Sequence, residues 1–283
     1  MMMITTSDLR DAGDETLILA HRGHRFGQVA ENTFLAYDLA LALGSDMIEV
    51  DVALTTDGRF VVLHGPLLDE LTDQHGDVHD KSYAQLQNIR YKSAYGLLAP
   101  CALPTLEEVL EHYRGKALIN IDRAYTVPLL EAVYRVAERM DMVGQILFKA
   151  PCAVKEAAQW LDLHDGKPAY MPIIRNDDEE MRRVLEIAPT QRFPAIEITF
   201  ADENQWIFSP EAVSRAKALR MKPLVNTMTA QQPYCGGHDD VTSLLRGPEY
   251  GWGWLIDRGA EILQTDCTGE LKHYLETRRE KRT

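Results

Sequence analysis

Eight short β-type runs, each followed by a helical pattern, constrain the fold of this chain more than any other feature of its sequence. The runs are LILAH (17–21), MIEVDV (47–52), ALINID (117–122), QILFKA (145–150), AYMPII (169–174), AIEITF (195–200), KPLVNT (222–227) and EILQTD (261–266). Eight strands that alternate with helices predict a parallel sheet, and about 250 residues is the usual length of a closed (β/α)8 barrel, the TIM barrel. A doubly wound open sheet is the structural alternative, but its Gly-rich first turn is not matched by HRGH (21–24). We therefore expect residues 1–283 to form a single barrel domain.

Two long segments interrupt the alternation of strands and helices. Residues 65–104 follow the second strand, and we expect them to form a small insertion within the barrel. Residues 228–250 follow the seventh strand. Long loops in compact domains are commonly functional, and both segments follow strand carboxyl ends, the face where barrel enzymes place their sites. We expect these segments to set substrate choice and not to carry the chemistry.

Charge and cysteine usage narrow the class of protein. A formal net charge of −13 disfavours nucleic acid and stable membrane association as partners. No apolar run approaches the roughly 18 residues that span a bilayer, and the amino terminus lacks a signal-peptide pattern. The cysteines form no C-x-x-C pair, which disfavours a zinc knuckle or a disulfide framework; they are Cys101, Cys152, Cys235 and Cys267. These features favour a cytoplasmic protein, and they predict no oligomeric state.

Carboxylates occupy the predicted inner face of two adjacent strands. In MIEVDV, side chains alternate, so Glu49 and Asp51 point inward while the aliphatic set faces the helices. Two inward carboxylates need a cation, a shared proton or a basic partner, and a structural ion-pair network is the alternative. On strand three, Asn120 and Asp122 share a face, so Asp122 can supply a third carboxylate at the same rim. An all-oxygen set favours Mg²⁺ or Ca²⁺ over zinc.

A histidine is predicted beside the two strand-two carboxylates. Asp57-Gly58 between two β-type runs indicates a hairpin with a two-residue loop. With that loop, the pairing register brings His64 directly opposite Asp51, where Cβ atoms lie about 5 Å apart. An exposed or otherwise satisfied side chain is the alternative for a lone histidine at a strand end.

The first strand ends in a histidine and an arginine. His21 and His64 near a carboxylate-bound cation suit general acid and general base catalysis near neutral pH. The planar guanidinium of Arg22 suits the oxygens of a phosphate.

These residues resemble a known family. The run AHRG…ENT…IEVDV…TTDGRFVVLH looks like the glycerophosphodiester phosphodiesterase family, of the phosphatidylinositol-phosphodiesterase-like TIM barrel superfamily, whose relatives include the spider-toxin phospholipase D branch. GAEILQTDCTGELKHYL is similar to the family's final strand and helix. The resemblance implies a function in lipid metabolism: metal-dependent hydrolysis of a small-molecule phosphodiester to an alcohol and a phosphomonoester, which is sn-glycerol 3-phosphate for a glycerophosphodiester. It also implies the roles of site residues. His21 and His64 would be the acid–base pair, and Arg22 would bind the phosphate. The metal ligands would be Glu49, Asp51 and Asp122.

The sequence departs from the family pattern at several positions. Gly65 stands where an aspartate is usual, Asp122 where glutamate is usual outside the spider-toxin branch, Ala124 where lysine is typical, and Asn226-Thr227 where Trp-Thr is common. These departures leave the reaction class in place and concern the substrate.

A lysine in strand four is a predicted substitute for the one that Ala124 replaces. Lys149 lies at the carboxyl end of that strand, next to the strand that carries Asp122. Neighbouring parallel strands lie about 4.8 Å apart, so a long lysine can reach the same space. Alternation places Lys149 with Leu147 on the inner face. We expect Lys149 to bind the substrate phosphate; a solvated lysine at a strand end is the alternative.

Other functions have weaker support. A barrel that binds a phosphorylated ligand without turnover would be expected to lack some of the acids or histidines, and none is missing. An isomerase or aldolase would require glycines placed for phosphate binding after strands seven and eight, where Gly236-Gly237 is a weak match.

A sugar-phosphodiester or lysophospholipid substrate is the alternative within the same reaction, because GWGW (251–254) could line a pocket. Packing of a helix onto the barrel is the other interpretation of these residues.

Overall fold

The structure, a computed structural model, describes residues 5–13, 15–151, 154–228 and 234–281. The expectations about Cys152, about the first four residues and about residues 229–233 of the second long segment lie outside the described residues. The three described cysteines, Cys101, Cys235 and Cys267, are free thiols. Within the described ranges, no helix combines the length and the apolar character that crossing a bilayer requires.

The eight predicted strands form a closed parallel barrel, which confirms the predicted fold class. In chain order, the strands are β1 (Leu17–Ala20), β2 (Met47–Leu54), β3 (Phe60–Val62), β4 (Arg90–Lys92), β5 (Leu98–Ala102), β6 (Leu118–Asp122), β7 (Ile146–Ala150), β8 (Ala169–Arg175), β9 (Ala195–Thr199), β10 (Lys222–Asn226) and β11 (Ile262–Thr265). The barrel runs β1, β2, β6, β7, β8, β9, β10, β11, and β11 pairs with β1 to close it.

Helices alternate with the barrel strands. They are α1 (Thr6–Asp11), α2 (Phe34–Ala42), α3 (Leu68–Leu71), α4 (Tyr83–Leu86), α5 (Leu106–Tyr113), α6 (Val127–Arg139), α7 (Val154–Leu163), α8 (Asp178–Gln191), α9 (Pro210–Ala218), α10 (Asp240–Arg246), α11 (Trp252–Asp257) and α12 (Thr268–Glu280). Several begin at side-chain caps: Thr105 and Glu108 form a capping box at α5, and Ser209 caps α9, which starts with Pro210.

The barrel interior divides into an apolar layer and a polar layer. The apolar layer fills the amino-terminal half of the strands, and its members include Leu19, Met47, Leu118, Leu147, Met171, Leu224 and Ile262. The polar layer lies at the carboxyl ends and comprises buried side chains of Glu49, Asp51, Asn120, Asp122, Lys149, Glu197, Asn226 and Gln264. Outward-facing aliphatic side chains pack under the helices. The strand pattern therefore concentrates charge at one end of the barrel.

The hairpin after β2 corrects one prediction. Leu63, and not His64, lies opposite Asp51, whose carbonyl accepts the Leu63 N–H at 3.2 Å. The predicted register was wrong by one residue because the loop has three residues. Gly58 adopts a left-handed φ of +77° and donates its N–H to the Thr55 carbonyl at 3.1 Å, a type I turn followed by a bulge.

Residues 65–104 contain α3, α4 and the antiparallel pair β4–β5, which forms its own small sheet. Their apolar side chains share a cluster with the β2–β3 hairpin, formed by Val61, Leu63, Leu68, Val78, Leu86, Ile89 and Tyr91 among others. The Tyr91 hydroxyl donates to the Val62 carbonyl. Residues 65–104 thus pack on the hairpin that leads to His64.

Candidate active site

Three carboxylates meet at the carboxyl end of the barrel. Asp51 on β2 lies beside Asp122 on β6. Glu49, two residues earlier in β2, lies beside Asn120. Ligand oxygens of Glu49, Asp51 and Asp122 lie within 4.8 Å of one another, and all three residues are buried. We call these three residues the acidic triad. The structure brings them together as strand alternation predicts.

Lys149 lies inside this cluster and is not a surface lysine. Its side chain is 1% exposed, and its Nζ lies 3.0 Å from Glu49, 2.9 Å from Asp122 and 3.2 Å from Glu197. Asn226 holds Glu197 through a hydrogen bond from Nδ2 to Oε1 of 2.8 Å. Glu197 was not predicted from the sequence, although its position between two isoleucines of β9 marks it as an inward-facing acid.

The cluster around Lys149 has more negative than positive charge. Burial raises the pKa of Glu49 to about 7, although Lys149 and His21 oppose that shift. Burial would lower the pKa of Lys149, but the surrounding carboxylates raise it well above its ordinary value. Glu49 Oε2 is buried and lacks a hydrogen-bond partner. One lysine against Glu49, Asp122 and Glu197 leaves one negative charge when Glu49 is protonated and two when it is ionised, so the all-oxygen triad could hold a divalent cation.

Asp51 is held by polar side chains from the loop after β1, from α2 and from the residue after β6. Asn32 donates its Nδ2 to Asp51 Oδ2 at 2.8 Å, and Tyr37 fixes Asn32 by donating its hydroxyl to Oδ1 at 2.8 Å. The guanidinium Nε atoms of Arg22 and Arg123 lie 3.4 and 3.5 Å from the two Asp51 oxygens. These contacts orient one member of the triad.

His21 is anchored on one ring nitrogen and faces the triad with the other. Its Nδ1 lies 2.8 Å from Asp266 Oδ1, and its Nε2 lies 3.8 Å from Glu49 Oε2. Arg25 also binds Asp266, with Nη2 to Oδ2 at 2.8 Å. Burial would raise the pKa of Asp266, but His21 and Arg25 hold it well below its ordinary value. Because the Asp266 carboxylate can only accept, His21 carries a proton on Nδ1.

Arg22 lies at the rim, with 14% of its side chain exposed. Its Nη1 donates to Glu31 Oε1 at 2.9 Å, and Arg25 donates to Glu31 Oε2 at 2.7 Å. Glu31 therefore holds two arginines side by side. Neither Glu31 nor Arg25 was assigned a role by sequence analysis.

His64 reaches the site in spite of the register correction, because the chain leaves β3 before it and turns at Gly65, whose φ is +85°. An Arg123 guanidinium nitrogen donates to His64 Nε2. Burial and the charges of Arg22 and Arg123 lower the pKa of His64 to about 3. His64 is therefore a neutral imidazole. Arg123 was missed by sequence analysis, and its position directly after Asp122 is the signal that could have indicated it.

The two tryptophans of GWGW (251–254) pack within the molecule. Trp252 is 2% exposed. Trp254 lies between the His238 ring, at a centroid distance of 3.6 Å, and the Arg258 guanidinium, 3.5 Å from the ring centroid. Both faces of Trp254 are therefore covered, which favours the packing interpretation over a sugar or lipid pocket.

The chain is similar in sequence and in fold to known proteins. The sequence profile of the Glycerophosphoryl diester phosphodiesterase family matches residues 21–229. A putative glycerophosphodiester phosphodiesterase of Bacillus subtilis (strain 168) is 43% identical over 106 residues, 37% of this chain and 43% of that protein. A glycerophosphodiester phosphodiesterase of Bacillus altitudinis is 40% identical over 123 residues, 42% of this chain and 47% of that protein. The chain thus covers less than half the length of these relatives.

Solved structures share the fold over nearly the whole chain. A glycerophosphoryl diester phosphodiesterase from Parabacteroides distasonis ATCC 8503 has a TM-score of 0.74 at 19% identity and covers 98% of this chain and 93% of its own. A phosphodiesterase from Oleispira antarctica, solved with the product sn-glycerol-3-phosphate, has a TM-score of 0.65 at 20% identity and covers 92% of this chain and 96% of its own. Because the family profile spans well over half of the sequence, this chain belongs to the Glycerophosphoryl diester phosphodiesterase family.

Proposed function

We propose that this chain hydrolyses glycerophosphodiester-type phosphodiesters to an alcohol and sn-glycerol 3-phosphate, with a divalent cation held by the acidic triad. The observation that carries the proposal is the convergence of the triad with His21, Arg22 and His64 at one end of the barrel. Membership of the family supports the reaction class, and the glycerol phosphate in the Oleispira antarctica structure supports the product.

The cation, Mg²⁺ or Ca²⁺ for this donor set, would neutralise the phosphate and stabilise the charge that builds on its oxygens. Arg22 adds a guanidinium at the rim. Glu49 and Asp122, which Lys149 contacts, are also two of the residues that would hold the cation, so with the cation bound Lys149 would have N–H donors to offer the phosphate. Arg22 and Lys149 are thus the proposed phosphate ligands.

The contacts of the two histidines suit different roles in proton transfer. His64 is kept neutral by burial and by two arginines, so its Nε2 could take a proton from the attacking oxygen, either water or a neighbouring substrate hydroxyl, once Arg123 releases that nitrogen. His21 turns Nδ1 to the Asp266 carboxylate and Nε2 to the Glu49 side of the site, so Nε2 is the ring nitrogen placed to pass a proton to the leaving alcohol. Attack by a substrate hydroxyl would produce a cyclic phosphate that ³¹P NMR detects.

Several finer assignments belong to the same proposal. The packing of Trp252 and Trp254 removes the main support for a sugar-phosphodiester or lysophospholipid substrate, so glycerophosphodiesters are the proposed class. We also propose one barrel domain with residues 65–104 as its insertion, in a cytoplasmic protein that acts on small molecules.

A panel of diesters tests the function. Glycerophosphocholine, glycerophosphoinositol, a lysophospholipid and a sugar phosphodiester are assayed in EDTA and after Mg²⁺ or Ca²⁺ is restored. We expect cation-dependent release of glycerol 3-phosphate from the glycerophosphodiesters. Turnover of the sugar or lipid substrate alone would overturn the substrate class, and binding of every diester without turnover would overturn the enzymatic function.

A further inference from the structure

A buried aspartate in the long loop after β10 joins four elements at the barrel mouth. Asp240, the first residue of α10, is 3% exposed. Its Oδ1 accepts from Thr227 Oγ1 at 2.6 Å, Trp252 Nε1 at 2.8 Å and Thr265 Oγ1 at 2.8 Å. Its Oδ2 accepts from the backbone N–H of Asp266 at 3.0 Å. One carboxylate therefore ties α10 to α11 and to the ends of β10 and β11.

All four of these partners are neutral donors. Burial raises the pKa of Asp240 to about 6, even though the four hydrogen bonds oppose the shift. Within the described ranges, no cationic side chain forms an ion pair with Asp240. Burying a carboxylate among neutral groups costs free energy unless hydrogen bonds satisfy its oxygens. Asp240 therefore depends on all four of these bonds, and they hold the backbone around it in place.

The backbone amide that Asp240 holds belongs to the residue that anchors His21. The Asp266 carboxylate lies 2.8 Å from His21 Nδ1. The backbone N–H of His21 donates to the Thr265 carbonyl at 3.1 Å, so the last residue of β11 and the residue that follows it both contact the same histidine. Partners of this kind set the tautomer and the ring orientation of a histidine.

We propose that Asp240 is a positioning residue for His21: it fixes the Asp266 backbone, so that the Asp266 carboxylate keeps a proton on His21 Nδ1 and directs Nε2 at the acidic triad. The kinetic part of this inference rests on the proposed phosphodiesterase function. It gives the segment 228–250 a part in the chemistry, beyond the substrate choice expected from the sequence.

An amide cannot replace the Asp240 carboxylate. Trp252 Nε1 and Asp266 N can only donate, and they contact different oxygens of Asp240. In Asp240→Asn, the amide nitrogen must face one of these two donors. The hydroxyls of Thr227 and Thr265 can accept as well as donate. Adding Trp252→Phe removes one obligate donor, so the amide can turn its nitrogen to the hydroxyls and its oxygen to Asp266.

The test compares wild type, Asp240→Asn, Trp252→Phe and the double variant. Steady-state kinetics gives kcat and KM, and ¹⁵N NMR of labelled histidine reports the tautomer of His21, whose signal is assigned with His21→Gln. We expect Asp240→Asn to lower kcat about 10- to 100-fold with little change in KM and to reduce the Nδ1–H form of His21. The double variant should recover most of both. Leu245→Ala on the same helix, with an 81% exposed side chain, is the matched control and should equal wild type.

A merely structural role predicts that the two substitutions add, so that the double variant is worse than either single variant. That result, or an unchanged His21 spectrum in folded Asp240→Asn, overturns the proposal. If Asp240→Asn does not fold alone, Asp240→Asn and Asp240→Ala are compared in the Trp252→Phe background, where only the former keeps an acceptor for Asp266. Equal His21 spectra in those two proteins overturn the proposal. A wild type that hydrolyses no diester refutes the proposed function, while the spectra still decide the positioning.

Discussion

Replacing Lys149 by glutamine should reveal how much of the site depends on one buried positive charge. Its Nζ lies within 3.2 Å of three carboxylates, and its side chain is 1% exposed. At an effective dielectric constant of about 20, unit charges about 3 Å apart attract by about 5 kcal/mol, and desolvation offsets much of this. Removing one partner of a buried pair costs about 3–5 kcal/mol. The free energy of unfolding of the metal-free Lys149→Gln protein should fall by about that amount.

A divalent cation should separate the effect of Lys149 on stability from its effect on catalysis. A cation held by Glu49 and Asp122 restores positive charge beside both, so the deficit in unfolding free energy should shrink when Mg²⁺ or Ca²⁺ is added. The catalytic loss should persist, because a phosphate contact is gone. Losing one oriented electrostatic contact costs about 2–4 kcal/mol, or about 30- to 1,000-fold in kcat.

Urea unfolding with and without cation, together with steady-state kinetics, measures both effects. The matched control is Lys222→Gln, since Lys222 is also buried in the barrel and lies 3.4 Å from Glu261, at the amino end of β10. We expect that variant to lose stability without rescue by cation and without loss of kcat. If Lys149→Gln keeps the wild-type unfolding free energy and kcat, the charge argument for Lys149 is wrong.

Three further predictions follow from the site. Because burial raises the pKa of Glu49 to about 7, a cation must displace its proton below that pH, so apparent cation affinity should fall about tenfold per pH unit below 7 and level off above it. Calorimetry in buffers of different ionisation enthalpy counts the displaced proton. A cation affinity that stays unchanged from pH 5 to pH 8 would refute this prediction. His21→Gln and His64→Gln should each lower kcat about 10²-fold or more and the double variant scarcely further, whereas multiplicative losses would contradict one shared proton-transfer cycle. Arg123→Gln removes a charge that lowers the pKa of His64, so the acidic limb of the kcat/KM profile should move to higher pH; an unmoved limb would exclude His64 as the base.

The barrel and the triad could be predicted because both follow from local periodicity. Alternation within MIEVDV and ALINID decides which side chains point inward, and parallel strands align their carboxyl ends. The same rule placed Lys149 on the inner face. Ala124 is fully buried in the outer apolar cluster, which explains why a charged side chain at that position would be costly in this chain.

The hairpin register and several site residues depend on information that alternation does not contain. Two- and three-residue loops share the Asp-Gly signal and a positive φ at the glycine. Only the backbone of Asp57, which does not have the positive φ that a type I′ turn needs, decides between them. Asp266 contacts a histidine 245 positions earlier in the chain, and Asp240 acts through Asp266. Arg123 takes its role from a left-handed backbone, φ +70°, which turns it toward His64. Such contacts appear only after the barrel closes.

The central claim is that hydrolysis depends on one cation held by the acidic triad. The most direct measurement titrates metal-free wild type and Asp122→Asn with Mg²⁺ or Ca²⁺ and records bound cation and release of glycerol 3-phosphate in the same samples. We predict that activity follows the occupancy of one ion per chain and that Asp122→Asn shifts both curves by the same factor. Full activity in wild type shown by elemental analysis to be free of metal would contradict the claim.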